Sequence, residues 1–292
     1  MSYQYPLLYI VTVAIWGSTW LVITLQLGTV DPLISVIYRM GLASILLFIL
    51  CRLKGVVLRA SREDHVLFLI QGVLSFGLNF WLIYISETYL TSGIIAVIFS
   101  LIIFFNLING RIFLKRPIEK NTILGGLVGL VGLFILFYPE LSKASSQSYA
   151  LTGFLIALTA VFSASLGNMA ATKSGLAGNS VWRINAWATL YGAAALSMIA
   201  MFTGTPFTYE LTKEYTFSLI YLSVFGTILA FGAYIKLMVL IGPEKASYGA
   251  LIIPFVAISL STIFEGYQWT TMAVAGFGLA ILGNYLVMKK VS

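Results

Sequence analysis

The residues that can do chemistry in this 292-residue sequence are a few polar and aromatic side chains set inside long apolar stretches. A charge held within lipid is costly, so Arg39 and Lys236 come first. Arg39 lies about two turns inside one end of the second stretch. Its guanidinium suits a substrate carboxylate or phosphate. Alternatively, it snorkels outward and pairs with Asp31, Glu87 or Glu265, all near the same face. Lys236 lies about one turn from the opposite face in the eighth stretch, where it reaches headgroups or lines a vestibule. Glu87 and Glu265 fall at stretch ends and are expected to be solvated or paired. No carboxylate falls near the middle of any stretch, so the sequence shows no Asp/Glu proton relay.

A neutral, aromatic set accompanies these charges. Trp16 and Trp20 stand four apart on one helix face, and Asn79 and Phe80 follow in the third stretch. Ser100 and Phe104 belong to the fourth, Ser163 to the sixth and Tyr234 to the eighth; Tyr84 and Tyr248 lie nearer stretch ends. Such walls suit a compact, partly apolar solute and hold an ammonium by cation–π attraction. The other reading of the same rings is an interfacial belt, the expected place of Trp81, Trp182 and Trp269. His65, beside Glu63 and Asp64, is expected at the interface. Covalent chemistry has no support: there is no HExxH, His-rich cluster, GxSxG or Walker A lysine. The single cysteine, Cys51, excludes an intrachain disulfide and a Cys-based metal cluster. Neither cofactor nor metal is expected, and the chain does not read as an enzyme.

The elements that must position these residues are helices. Ten apolar stretches fill the chain: Pro6–Leu27, Pro32–Cys51, His65–Ser86, Thr91–Phe113, Asn121–Tyr138, Ala150–Thr172, Val181–Phe202, Phe217–Leu240, Ala246–Phe264 and Thr270–Met288. A hydrocarbon core about 30 Å thick needs roughly 20 helical residues. Charged residues make up 9% of the chain, against about 25% in a soluble domain, and mean hydropathy is +0.97. The first stretch is too long for a signal-peptide core and reads as a retained helix. The expected fold is an all-α integral membrane protein of ten transmembrane helices.

Charge placement sets the orientation. Arg52, Lys54, Arg59, Arg62, Arg111, Lys115, Arg116, Lys120, Lys173, Arg183, Lys236, Lys245, Lys289 and Lys290 fall on one side, while only Lys143 and Lys213 fall on the other. The positive-inside rule makes the first side cytoplasmic, with both termini there. The net charge of +7 is thereby explained without nucleic acid.

The polar stretch at Ser142–Ser148 divides the chain into residues 1–142 and 143–292, five stretches each. Gly125 and Gly132 match Gly276 and Gly283 in spacing; Thr91-Ser92-Gly93 matches Ala246-Ser247-Tyr248 in place. Five being odd, the second copy inserts upside down, the inverted repeat that many secondary transporters use. The fifth and tenth stretches, nearly free of polar side chains, are assigned to helix packing or to a dimer face.

These motifs also resemble a family. Trp16-Gly17-Ser18-Thr19 is similar to its first-helix signature, and Pro32, Arg39 and Ala43 to its second helix. Gly242-Pro243-x-x-Ala246-Ser247 with Pro254 resembles its passage from eighth to ninth helix, and Gly276 and Gly283 its last helix. The family is the drug/metabolite transporter superfamily, specifically ten-helix exporters with two EamA domains. The resemblance covers essentially the whole chain. It implies export of small metabolites, often amino acids, through a cavity between the halves, and a structural arginine at Arg39. The chain departs from the pattern at Thr24, at Lys115-Arg116, at Ser100 opposite Pro254, and at Glu265-Gly266-Tyr267, which puts the cargo in question rather than the fold.

The expected function is a secondary transporter of the inner membrane, a monomer or weak homodimer with a small-molecule substrate. Its cargo is an amino acid or related amphipathic solute, taken by alternating access. Trp16, Trp20, Asn79, Phe80, Tyr84, Ser100, Phe104, Ser163, Tyr234 and Tyr248 are the expected binding residues; Arg39, Lys236, Pro254 and Glu265 are expected to be structural or gating. Alternatives are a carrier of nucleotide sugars or other phosphorylated metabolites, which would want paired basic residues at mid-depth, and a membrane scaffold or enzyme. Cargo identity, proton coupling and flux direction are not legible. Single cysteines placed at Arg59 and Ser145 should label from opposite sides with an impermeant maleimide in intact cells. Labelling at residue 59 from outside would overturn the orientation.

Overall fold

The structure, a computed structural model, describes residues 4–116, most positions between 124 and 138, and residues 149–288; of Tyr248, Leu251, Asn284, Val287 and Met288 only the backbone is described. The divide at Ser142–Ser148 lies outside the described residues. Every described element is helical: α1 Gln4–Thr24, α2 Pro32–Leu53, α3 Arg62–Ser86, α4 Ser92–Leu114, α5 between residues 124 and 138, α6 Tyr149–Leu176, α7 Val181–Thr203, α8 Lys213–Ile241, α9 over residues 243–264, and α10 Thr271–Met288. Seven of them are long and apolar enough to cross a membrane, while α5, α9 and α10 contain shorter apolar helices.

Caps, not hydropathy, set the ends. Asp31 accepts from the Leu33 amide and Pro32 opens α2. Ser61 and Asp64 form a reciprocal capping box that starts α3 at Arg62, earlier than its apolar stretch. Thr212 caps the Tyr215 amide and starts α8 at Lys213. Gly242, at φ +95°, turns the chain so that α9 begins at Pro243 rather than Ala246.

Two helices widen and two break, in matching order. α3 carries a π-helical segment at Gly72–Leu78, and α8 carries one at Leu222–Leu229. α4 is interrupted at Ser100-Leu101. α9 runs as Pro243–Ala246, a 3-10 turn at Ser247–Leu251, then Ile253–Phe264. Irregular backbone survives at membrane depth only where protein or a cavity satisfies it. Here side chains do so. Ser163 donates to the Leu74 carbonyl at 2.8 Å, Thr227 to Leu222 at 3.0 Å, and the Trp16 indole to Gly226 at 3.1 Å.

Packing crosses between the first five helices and the last five. α2 packs on α7; α3 and α4 pack on α6; α1 packs on α8 and α9; α4 packs on α9. α5 and α10 meet backbone to backbone. A Cβ on Gly276 would sit 2.6 Å from the Gly132 carbonyl, and one on Gly132 would sit 2.7 Å from the Gly276 carbonyl. Close approach of this kind lets helices associate where lipid offers no hydrophobic drive. Gly276→Leu should therefore lower the melting temperature of the detergent-purified protein by several degrees, an overpacking cost of roughly 1–3 kcal/mol or more. Gly278→Ala, with nothing within 4 Å of its added Cβ, should leave it unchanged or slightly raised. Equal melting curves for the two variants would refute the α5–α10 contact.

Candidate functional site

The widened and broken helices enclose a cavity. Its walls come from α1, α3, α4, α6, α8 and α9, with Arg39 reaching in from α2. The space open to the centres of water molecules is about 60 Å³, several times the ~10–15 Å³ that one water needs. This is room for a compact solute, lined mainly by apolar and aromatic groups.

Aromatic rings form one wall. Trp16 meets Phe231 edge-on at 4.9 Å and Tyr234 at 5.0 Å. Phe231 in turn contacts Phe76 and Phe80, and Trp20 contacts Phe99 at 5.2 Å. The Trp20 indole N–H has no hydrogen-bond partner among the described residues, and neither has Asn79 Oδ1. Asn79 uses its amide N–H to donate back to the Ser75 carbonyl at 3.1 Å. Two residues of the cavity wall thus each carry a buried polar atom without a partner among the described residues, one a donor and one an acceptor.

Arg39 is the cavity's cation, only 1% exposed. Its Nε donates to Thr227 Oγ1 at 3.1 Å and Nη1 to the Tyr84 hydroxyl at 3.4 Å; its guanidinium lies 4.3 Å over the Phe80 ring. Tyr84 passes its own proton to Gln26 Oε1 at 2.7 Å. Gly226 makes the room: a Cβ there would stand 3.0 Å from Nη2. Among the described residues no carboxylate stands within ion-pair distance of Arg39, and the ion pair is Arg116–Glu244, at 2.7 Å. Snorkelling toward Asp31, Glu87 or Glu265 does not occur, because Thr227, Tyr84 and Phe80 hold the head group inward.

Amide and hydroxyl groups close one end of the cavity. Asn106 donates to Ser247 Oγ at 2.5 Å and to the Tyr234 hydroxyl at 3.2 Å; Asn168 donates to Asn106 Oδ1 at 3.3 Å. The network ties α4, α6, α8 and α9 together. Below it Arg116 binds Glu244, and the Tyr9 hydroxyl donates to the Lys245 carbonyl. At the opposite end the Glu265 carboxylate accepts from the Ser92 amide at 3.2 Å and from its hydroxyl. The packed pair α4 and α9 is therefore latched at both ends by a carboxylate from the α9 side.

Of the residues read from sequence, the cavity gathers Trp16, Trp20, Asn79, Phe80, Tyr234 and Arg39. Others take different places. Tyr84 is buried behind Arg39. Ser100 turns back to the Val97 carbonyl, Phe104 packs beside Phe105, and Ser163 serves the α3 π segment. Lys236 is exposed and Pro254 buried; the Tyr248 side chain lies outside those described. Glu265 is half-buried and paired with Ser92. Glu87 corrects its expectation: it is 8% exposed, and neither oxygen has a partner among the described residues. The interior forms right up to the end of α3, so this helix-end position is not a wet one. His65 is half-buried in the first turn of α3, its Nδ1 2.9 Å from the Tyr191 hydroxyl. Asn106, Asn168, Thr12, Thr19, Ser75 and Ser247 were missed as site residues. Asparagines within apolar stretches were the available signal, since amides there act across helices.

Arg39 joins α2 to α3 and α8. Arg39→Ala should lower the melting temperature of the purified protein, a loss of about 1.5–3 kcal/mol for hydrogen bonds to a charged group. Arg39→Lys should recover only part, lacking the planar fork. An unchanged melting curve for Arg39→Ala would refute the bridging role.

Comparison with known proteins gives the family context. The EamA-like transporter family matches twice, over residues 5–138 and 151–289. PagO of Salmonella typhimurium is 24% identical over 94% of this chain and 89% of its own. "Uncharacterized inner membrane transporter YedA" of Escherichia coli is 27% identical over 94% and 90%. A Salmonella typhimurium protein named "Probable amino-acid metabolite efflux pump" is 23% identical over 98% and 95%. One solved crystal structure superposes with a TM-score of 0.72 at 15% identity, covering 98% of this chain and 96% of that one, a likeness of fold.

Proposed function

The chain belongs to the EamA-like transporter family, and from that premise we propose that it exports amino acids or closely related zwitterions by alternating access through the cavity. It is a multi-pass membrane transporter of the inner membrane, like the relatives so named. The relative named for amino-acid metabolite efflux supports the cargo class.

The observation that carries the reading is a set of unpartnered polar groups on residues that line the cavity. Among the described residues Arg39 has no carboxylate within ion-pair distance, and the Trp20 N–H and Asn79 Oδ1 have no hydrogen-bond partner. A zwitterion supplies the complement. Its carboxylate takes the Arg39 and Trp20 donors, and its ammonium takes Asn79 Oδ1 and the aromatic faces. Its side chain lies along the apolar lining. A nucleotide sugar would bring two phosphate charges to a single cavity cation.

The moving bodies are residues 1–142 and 143–292, taken as inverted halves with both termini cytoplasmic. The α4–α9 seam is the hinge between them. Opening inward needs release of Arg116–Glu244 and the asparagine floor; opening outward needs release of Ser92–Glu265. A carrier of this kind must never have both ends open, and two separate latches on one seam meet that need.

Counterflow in proteoliposomes, against a panel of neutral amino acids and nucleotide sugars, tests the cargo. Counterflow of at least one amino acid and of no nucleotide sugar is expected. Trp20→Phe should keep the fold and weaken apparent affinity roughly tenfold or more, since a hydrogen bond to a charged group is worth about 1.5–3 kcal/mol. Exchange of nucleotide sugars alone would overturn the cargo class. Unchanged kinetics in both Trp20→Phe and Asn79→Ala, with normal expression, would move the site elsewhere.

A further inference from the structure

Glu87 is a carboxyl group that the binding site does not use. It caps the end of α3, its amide donating to the Ile83 carbonyl at 3.0 Å. It is more than nine-tenths buried and its two oxygens accept no hydrogen bond among the described residues. The charged and titratable groups acting on it come from three elements: Glu265 at the end of α9, Arg39 of α2, and Tyr84 one turn earlier on α3. Tyr84 commits its proton to Gln26, and Arg39 is held by Thr227 and Tyr84. Glu265 carries a like charge steadied by two donors from Ser92, so it opposes a second negative charge beside it. An ionised carboxylate with no partner is not sustained at such a position.

Taking the transport reading as given, we propose that Glu87 is a proton-binding site whose occupancy controls the outer end of the carrier: the outer seam closes only when Glu87 is protonated. The closed state buries Glu87 beside Glu265. An outward-open state, with the Ser92–Glu265 latch released, lets water reach it and lets it ionise. The physical forces agree. Burial, and after it the Glu265 carboxylate, push the Glu87 carboxyl well above the usual carboxylate range, against the opposing pull of Arg39. The sign follows. The closed state binds a proton that the open state releases, so closure is favoured at low pH and lost as outer pH rises through the closed-state pKa. Ionised Glu87 also draws on Arg39 and repels a cargo carboxylate, so opening outward weakens cargo binding on that side. The proton is taken from and returned to the outer solution.

Two measurements that use no cargo decide this. In infrared difference spectra of the purified full chain over a pH titration, a protonated-carboxyl C=O band should persist near neutral pH. It should vanish in Glu87→Gln, which keeps the shape of the neutral acid, and remain in Glu265→Gln. Absence of the band in the wild type, or its survival in Glu87→Gln, overturns the proton site. The second measurement places one cysteine at Ile23, on the cavity wall, in a Cys51→Ser background, and follows its labelling by an impermeant maleimide added outside cells. After division by the labelling rate of an always-exposed cysteine, which removes the rise in thiolate with pH, labelling at residue 23 should still speed up several-fold as outer pH rises, and in Glu87→Gln the same ratio should stay low and flat. A ratio independent of pH in the otherwise unaltered protein, or a pH-dependent ratio kept in Glu87→Gln, overturns the gating. Because neither arm involves transport, failure of the cargo panel leaves both outcomes readable.

Discussion

Within lipid every polar backbone group must find its partner inside the protein, and the cavity exists because two helices relax that rule locally. The π segments of α3 and α8 each leave carbonyls without the ordinary helical partner. Ser163, Thr227 and Trp16 supply the missing donors. Two of these donors cross between helices, so satisfying the backbone also fixes α6 against α3 and α1 against α8. The widened turns lead into Asn79, Phe231 and Tyr234 on the cavity wall, and Gly226 leaves the space that Arg39 fills.

Charge is distributed with the same economy. Arg39 sits in the interior with hydroxyls and an aromatic face for company and no carboxylate in ion-pair range. The two carboxylates near the Ser92 end of the α4–α9 seam are treated oppositely: among the described residues Glu265 receives two donors and Glu87 none. That contrast separates a latch from a group whose charge depends on whether water reaches it.

The membrane class was legible in composition and in the length of the apolar stretches, because hydrocarbon thickness fixes helix length whatever the packing. The matched glycines in the fifth and tenth stretches were legible too, and Gly132 and Gly276 meet where the helix backbones touch. Trp16, Trp20, Asn79 and Phe80 were recognisable as polar or aromatic groups inside apolar stretches. What failed was depth and direction. Ser163 looks like a pore hydroxyl in one dimension but serves a neighbour's carbonyl, since helix contacts decide which way a short side chain points.

The sequence by itself therefore determined the solvent, the helices and the kind of groups available: one deep arginine, indoles and amides. Only the tertiary structure decided which of them meet. The π segments leave no mark in hydropathy, because a single extra residue per turn changes hydrogen bonding without changing composition. The isolation of Glu87 is invisible for the same reason. A carboxylate at a helix end reads as wet until the neighbouring elements are seen to cover it.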